Sequence, residues 1–96
     1  MKLWPFDYEV LSIDATTGGV RPDQTKVAQC DEAEVTFEAG PVRYRIDGGA
    51  PTSNDGHQAF DGERRTFTQR ELVNLRLIRA GTTNGTARIT YRRRRP

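Results

Sequence analysis

Apolar residues alternate with polar residues along most of the chain, which is the spacing of strands that bury one face. Val35 and Phe37 alternate with glutamate and threonine, and Ile89 and Tyr91 alternate with arginine and threonine. The pattern predicts about six to eight short strands and an all-β fold. We expect a small antiparallel two-sheet β-sandwich, immunoglobulin-like or jelly-roll-like, with at most one short helical turn.

In the first predicted strand, the apolar residues switch from one face to the other midway. Phe6, Tyr8 and Val10 fall on one face, and Leu11 and Ile13 fall on the other. This shift predicts a bulge, or a strand that passes between the two sheets. Residues 14–31 are polar and rich in Thr, Gly and Asp, so we expect a long loop with at most a short edge strand near Lys26 to Ala28.

Two hairpins and one helix start are predicted from local signals. A register with Phe37 opposite Val42 would bury the apolar face of a hairpin that turns at Ala39-Gly40-Pro41. The Asn84-Gly85 step predicts a second, tight hairpin before the last strand. Between them, Thr68-Gln69-Arg70-Glu71 matches a capping box, which predicts a single helical turn.

The length of 96 residues suits one small domain. The net charge is only +2, but the four consecutive arginines Arg92 to Arg95 account for all of it. Without them, 11 basic residues face 13 acidic ones, which leaves 11 − 13 = −2. We therefore predict one β-sandwich domain over residues 1–91 and a basic C-terminal tail over residues 92–96.

Several classes of protein are disfavoured by composition. The apolar stretches are too short for a transmembrane span or a secretory segment, so we expect no membrane contact. Cys30 is the only cysteine, which excludes an internal disulfide and a thiolate zinc site. Its neighbours Asp31 and Glu32 raise the thiol pKa, the reverse of what a nucleophilic cysteine needs.

Residue types of a hydrolytic triad occur together in one turn-rich segment. Ser53, Asp55 and His57 lie within five positions, but a flexible turn does not preorganise a triad. Asp47, Asn54 and Asp55 offer oxygen ligands without the spacing of a calcium loop. We therefore expect no catalytic activity, no metal and no cofactor.

Both ends of the chain carry the candidate partner-binding residues, namely Leu3, Trp4, Phe6, Arg92, Arg93, Arg94 and Arg95. The apolar group either closes the end of the sandwich or inserts into a neighbouring subunit. The arginines suit an acidic protein surface, about four phosphates of a nucleic acid, or solvent. Phe37, Tyr44, Phe67 and Tyr91 fall at predicted core-facing positions, and the aromatic residues do not interleave with the basic ones, so the sequence shows no stacking platform for bases.

A longer run resembles a known group of proteins. Val42-Arg43-Tyr44-Arg45-Ile46-Asp47-Gly48, then Pro51-Thr52 and Gly56-His57, is similar to a run in small β-sandwich proteins from the structural gene clusters of tailed bacteriophages. Residues 75–82 resemble their penultimate strand and Gly-Thr turn, and residues 87–91 resemble their closing strand. The arginine run and the Trp-Pro-Phe start depart from that pattern.

The resemblance implies a non-enzymatic virion structural protein, such as a capsid decoration or head-associated subunit. Such a protein is made in the host cytoplasm, resides in the virion in many copies, and binds capsid or head-tail proteins and further copies of itself. Two alternatives stay open. One is an accessory carbohydrate-binding module, for which Trp4 and Phe60 are the available aromatic residues, and the other is nucleic-acid contact through the arginines.

Overall fold

A computed structural model describes residues 2–94 and confirms the all-β prediction. Its strands are β1 (Leu3–Ile13), β2 (Glu32–Ala39), β3 (Val42–Arg45), β4 (His57–Ala59), β5 (Arg64–Thr68), β6 (Arg76–Arg79) and β7 (Gly85–Arg94). A four-stranded sheet has the order β1-β7-β2-β5, and a three-stranded sheet has the order β4-β3-β6. All neighbouring strands are antiparallel, and the two sheets form a small sandwich.

The core lies between the sheets, where the alternating apolar residues of both inner faces meet. Phe37 from the large sheet stacks on Tyr44 from the small sheet, with ring centroids 6.2 Å apart. Phe67 meets the same Tyr44 ring edge-on at 5.5 Å. The buried strand residues include those that the alternation predicts: Val35, Phe37, Val42, Tyr44, Phe67, Leu77, Ala87, Ile89 and Tyr91.

Both predicted hairpins are wrong, because each proposed turn carries the chain from one sheet to the other. β2 pairs with β5 and β7, whereas β3 pairs with β4 and β6. The two crossovers touch: Gly40 N donates to Asn84 O at 3.3 Å. A Cβ on Gly85 would lie 2.5 Å from Val42 Cγ1, so this glycine permits the close approach.

The first strand contains the predicted bulge, but at Phe6 rather than between Val10 and Leu11. The pairing with β7 shifts between Pro5 and Asp7, so Phe6 packs on the core while Tyr8 and Val10 are exposed. Phe6, Tyr8 and Val10 therefore do not share a face as predicted.

Two short helices occur within residues 2–94, one more than predicted. α1 (Gln24–Gln29) replaces the expected edge strand near Lys26, and Asp23 caps it by accepting from Thr25 N at 2.9 Å. α2 (Gln69–Asn74) begins with the predicted capping box of Thr68 and Glu71. Neither helix has the length and hydropathy needed to cross a membrane.

The last strand extends beyond the predicted domain boundary at residue 91. β7 continues to Arg94, with Arg92, Arg93 and Arg94 opposite Pro5, Trp4 and Leu3 of β1. These three arginines are therefore part of the large sheet rather than of a separate tail. Arg95 and Pro96 lie outside the described residues.

Candidate partner-binding surface

The N-terminal and C-terminal candidate residues form one surface. Residues 3–6 of β1 and residues 92–94 of β7 pair as an antiparallel ribbon, which we call the terminal ribbon. Leu3, Trp4 and Phe6 thus lie beside Arg92, Arg93 and Arg94, although about 90 residues separate them in sequence. The candidate Arg95 lies beyond the described residues.

Acidic residues at the start of β2 hold the arginine side of the ribbon in place. Arg92 Nη2 donates to Glu34 at 2.9 Å, and Arg92 Nη1 donates to Glu32 at 3.4 Å. Asp31 N donates to the Arg92 carbonyl at 2.8 Å, and Arg94 N donates to the Asp31 carboxylate at 2.8 Å. Arg92 is therefore neutralised within the fold and is the arginine least available to a partner.

Arg93 of the ribbon and the neighbouring Lys2 each lie beside an aromatic ring. The Arg93 guanidinium lies 4.3 Å from the centroid of the Phe6 ring, and Lys2 Nζ lies 5.6 Å from that of Trp4. Trp4 itself is 38% exposed. Within residues 2–94, Lys2, Arg93 and Arg94 form no ion pair with a carboxylate, so the ribbon presents positive charge together with apolar rings.

A buried tyrosine anchors the base of the ribbon. Phe6 packs at 6.5 Å from the ring of Tyr91, whose hydroxyl donates to Glu9 Oε1 at 2.7 Å. Asp23 N, at the start of α1, donates to the same carboxylate oxygen at 3.1 Å. Burial, and then the hydrogen bond to Glu9, raise the pKa of Tyr91 well above its usual range.

The free edge of β1 is protected against the addition of another strand. Pro5 has no N–H to offer, and Lys26 Nζ donates to the Tyr8 carbonyl at 3.2 Å. The same ammonium pairs with Asp7 at 3.0 Å, and this hydrogen bond holds the pKa of that carboxyl below its usual value. A proline within the edge strand and a lysine of α1 that covers the strand disfavour strand addition, so a partner would contact the side chains of the ribbon.

Ser53 and Asp55 lie in the turn before β4 and His57 is the first residue of β4, without the geometry of a triad. The His57 ring packs on Tyr44, with centroids 5.4 Å apart. Among the described residues, no hydrogen bond links Ser53, Asp55 and His57 to one another. His57 therefore adds its ring to the aromatic cluster around Tyr44.

The other residues singled out from the sequence have structural contacts. Asp47 accepts two hydrogen bonds from Arg45, at 2.6 and 3.0 Å, which lower the pKa of the carboxyl to about 2. Cys30 is buried, and its pKa is raised mainly by burial, with Asp31 adding to the effect. No group of three or more His, Cys, Asp or Glu side chains in the described part of the chain is placed to hold a metal ion.

A shallow cleft of about 510 Å³ lies between the loop after β1 and the loop around Pro51. Ile78 contributes to its lining from β6, and Arg79 is the one charged residue. Its lining contains neither an aromatic ring nor a carboxylate, the groups that usually stack on and hydrogen-bond a sugar. Trp4 and Phe60, the aromatic candidates for carbohydrate binding, belong to other parts of the molecule.

Sequence reasoning missed that the two ends pair with each other. One signal was present: the outward positions of β2 are mostly glutamates, and those of β7 include Arg88 and Arg92. In the structure the outward residues of β2 and β7 lie beside each other, and Arg88 forms an ion pair with Glu38 at 2.7 Å, as Arg92 does with Glu34. Matching the charges of the outward residues of the two strands would have placed Arg92 within a strand.

No protein-family model matches the chain, and no curated protein or solved structure matches it either. The chemistry of the terminal ribbon is therefore the main guide to its partner. The exposed Trp4 ring lies beside Lys2 and Arg93, which form no ion pair within residues 2–94, and this combination suits a protein surface that offers carboxylates around an apolar patch.

Proposed function

We propose that this protein is a non-enzymatic structural subunit of a tailed-phage virion, a capsid decoration or head-associated protein. It resides in the particle and binds other virion proteins through the terminal ribbon. The observation that carries the proposal is the union of the two chain ends in one exposed, cationic and aromatic surface. The resemblance of residues 42–57 to small structural proteins of tailed phages is the reason for placing the protein in a phage virion.

The composition of the ribbon is typical of an interface centre. Tryptophan and arginine are the residues that most often dominate binding energy when they are covered by a partner. Trp4 and Arg93 lie directly opposite each other on neighbouring strands. Tyr91 and the bulge at Phe6 hold this pair on the large sheet, so the two side chains lose little conformational entropy on binding.

The proposal is tested with particles of the phage that encodes the chain. Mass spectrometry of purified particles should detect the protein in many copies, and added purified protein should co-sediment with particles that lack it. The double variant Trp4→Ala/Arg93→Ala should lose co-sedimentation, because both side chains lie at the centre of the ribbon. Val73→Ala, which truncates an exposed apolar residue on α2, serves as the matched control and should bind normally.

Two outcomes would contradict the proposal. One is the absence of the chain from purified particles, and the other is equal co-sedimentation of the wild type and the ribbon variant. Circular dichroism and thermal melting of each variant confirm that the fold is intact before binding is compared.

One observation favours nucleic acid as a second candidate partner. Trp4 and Phe6 lie beside Lys2 and Arg93, so rings and cations are interleaved in space although they are not interleaved in the sequence. This candidate predicts binding to single-stranded oligonucleotides that weakens steeply with salt and with Arg93→Ala/Arg94→Ala. Fluorescence anisotropy at two salt concentrations measures this affinity. An affinity that neither salt nor the arginine substitutions change would exclude nucleic acid as the partner.

A further inference from the structure

A second exposed feature lies at the turn between β4 and β5. Phe60 is 49% exposed, and Asp61 and Gly62 follow it. The turn is held rigidly, since Gly62 N donates to the Phe37 carbonyl at 2.7 Å and Phe60 N donates to Glu63 at 2.8 Å. We call residues 60–63 the Phe60 turn.

The Phe60 turn carries one of two uncommitted carboxylates. Among residues 2–94, only the carboxylates of Asp55 and Asp61 neither form an ion pair nor accept a hydrogen bond. Asp61 directly follows the exposed Phe60 in the sequence, whereas Asp55 lies in the turn before His57. The turn therefore carries an exposed aromatic ring and a negative charge on consecutive residues.

This combination complements the terminal ribbon. The guanidinium groups of Arg93 and Arg94 form no ion pair with a carboxylate of residues 2–94. An arginine can pair with a carboxylate while its guanidinium lies over a ring. Within the ribbon, Arg93 already lies over the ring of Phe6. An arginine of a second copy would find both Asp61 and Phe60 on the turn.

The two surfaces lie far apart on the same molecule. The turn is hydrogen-bonded to Phe37, which pairs with Ala87, and Arg93 is six residues further along β7. At about 3.4 Å per residue, the separation along the strand is about 20 Å. Contacts between two different patches are heterologous, so each copy can bind one neighbour at each end.

We propose that copies of this chain associate head to tail, with the terminal ribbon of one copy bound to the Phe60 turn of the next. The arrangement rests on the proposed function, since it names one of the partners of the ribbon. Successive copies then form a ring if the rotation between neighbours closes and a filament if it does not.

A charge-exchange experiment tests this arrangement. Sedimentation velocity of the wild-type chain over a range of concentrations should show oligomers larger than a dimer. Arg93→Glu/Arg94→Glu and Asp61→Arg should each sediment as monomers, because each variant places like charges at the contact. An equimolar mixture of the two should assemble again, since every contact between unlike copies then joins opposite charges.

Matched controls and contrary outcomes are available within the chain. Asp55→Arg makes the same change at the other uncommitted carboxylate and should assemble like the wild type. A wild-type chain that stays monomeric, or a mixture that stays monomeric, would overturn the head-to-tail arrangement. Particle binding by a monomeric wild type would leave the proposed function standing, whereas oligomers without any particle binding would contradict the proposed function alone.

Discussion

Removal of the last residues of β7 tests whether the arginines belong to the sheet. A chain that ends at Tyr91 loses the pairing of residues 92–94 with β1, together with the contacts of Arg92 and Arg94 to Asp31. Each hydrogen bond contributes about 1 kcal/mol. The partly exposed ion pairs of Arg92 add about 0.5 kcal/mol. Because residues 3–6 regain conformational entropy once their β7 partners are gone, we expect the free energy of unfolding to fall by only about 1 to 2 kcal/mol.

The control is a chain that ends at Arg94, which lacks only Arg95 and Pro96. Urea denaturation should give the chain that ends at Tyr91 a lower free energy of unfolding than the chain that ends at Arg94. Hydrogen exchange should also accelerate at residues 3–6, which lose their β7 partners. Equal stability and equal exchange in the two truncated chains would show that the arginines form a solvated tail.

Three further changes test the core and the helix start. Tyr91→Phe removes the hydrogen bond to Glu9 and should lower the free energy of unfolding by about 2 kcal/mol at neutral pH. Because folding raises the pKa of Tyr91, the wild type should also lose stability as the pH rises above about 10. Urea denaturation should show a smaller loss in the variant, which has no hydroxyl to ionise at this position. Thr68→Ala should cost about 1 kcal/mol in thermal melting and Thr68→Ser much less, whereas equal losses would argue against the capping box. A double-mutant cycle of Phe37→Leu and Tyr44→Leu should give a coupling energy of about 1 kcal/mol, and additive losses would contradict their stacking across the sheets.

Alternation in the sequence predicted which residues are buried but not which strands are neighbours. The period of two assigns Phe37 and Tyr44 to inner faces, and both are buried. The same pattern fits two strands of one hairpin and two strands that face each other across a sandwich. The difference lies in the packing of Gly40 and Gly85 at the crossovers, which depends on residues far away in sequence.

Short elements and long-range pairings escaped prediction for related physical reasons. α1 has six residues with Val27 as its one buried member, so no helical period is visible. The arginines at the end resembled a solvated run because their partners lie about 60 residues away, as for Arg92 and Glu34. The capping box at Thr68 was predictable because all of its contacts are local.

Hydroxyl-radical footprinting of the protein, free and bound to purified phage particles, tests the role of the terminal ribbon most directly. We predict that Trp4 and Phe6 become protected on binding, while Val73 on α2 keeps the reactivity that it has in the free protein. Equal reactivity of Trp4 in the free and bound states would contradict the proposal that the terminal ribbon is the assembly surface.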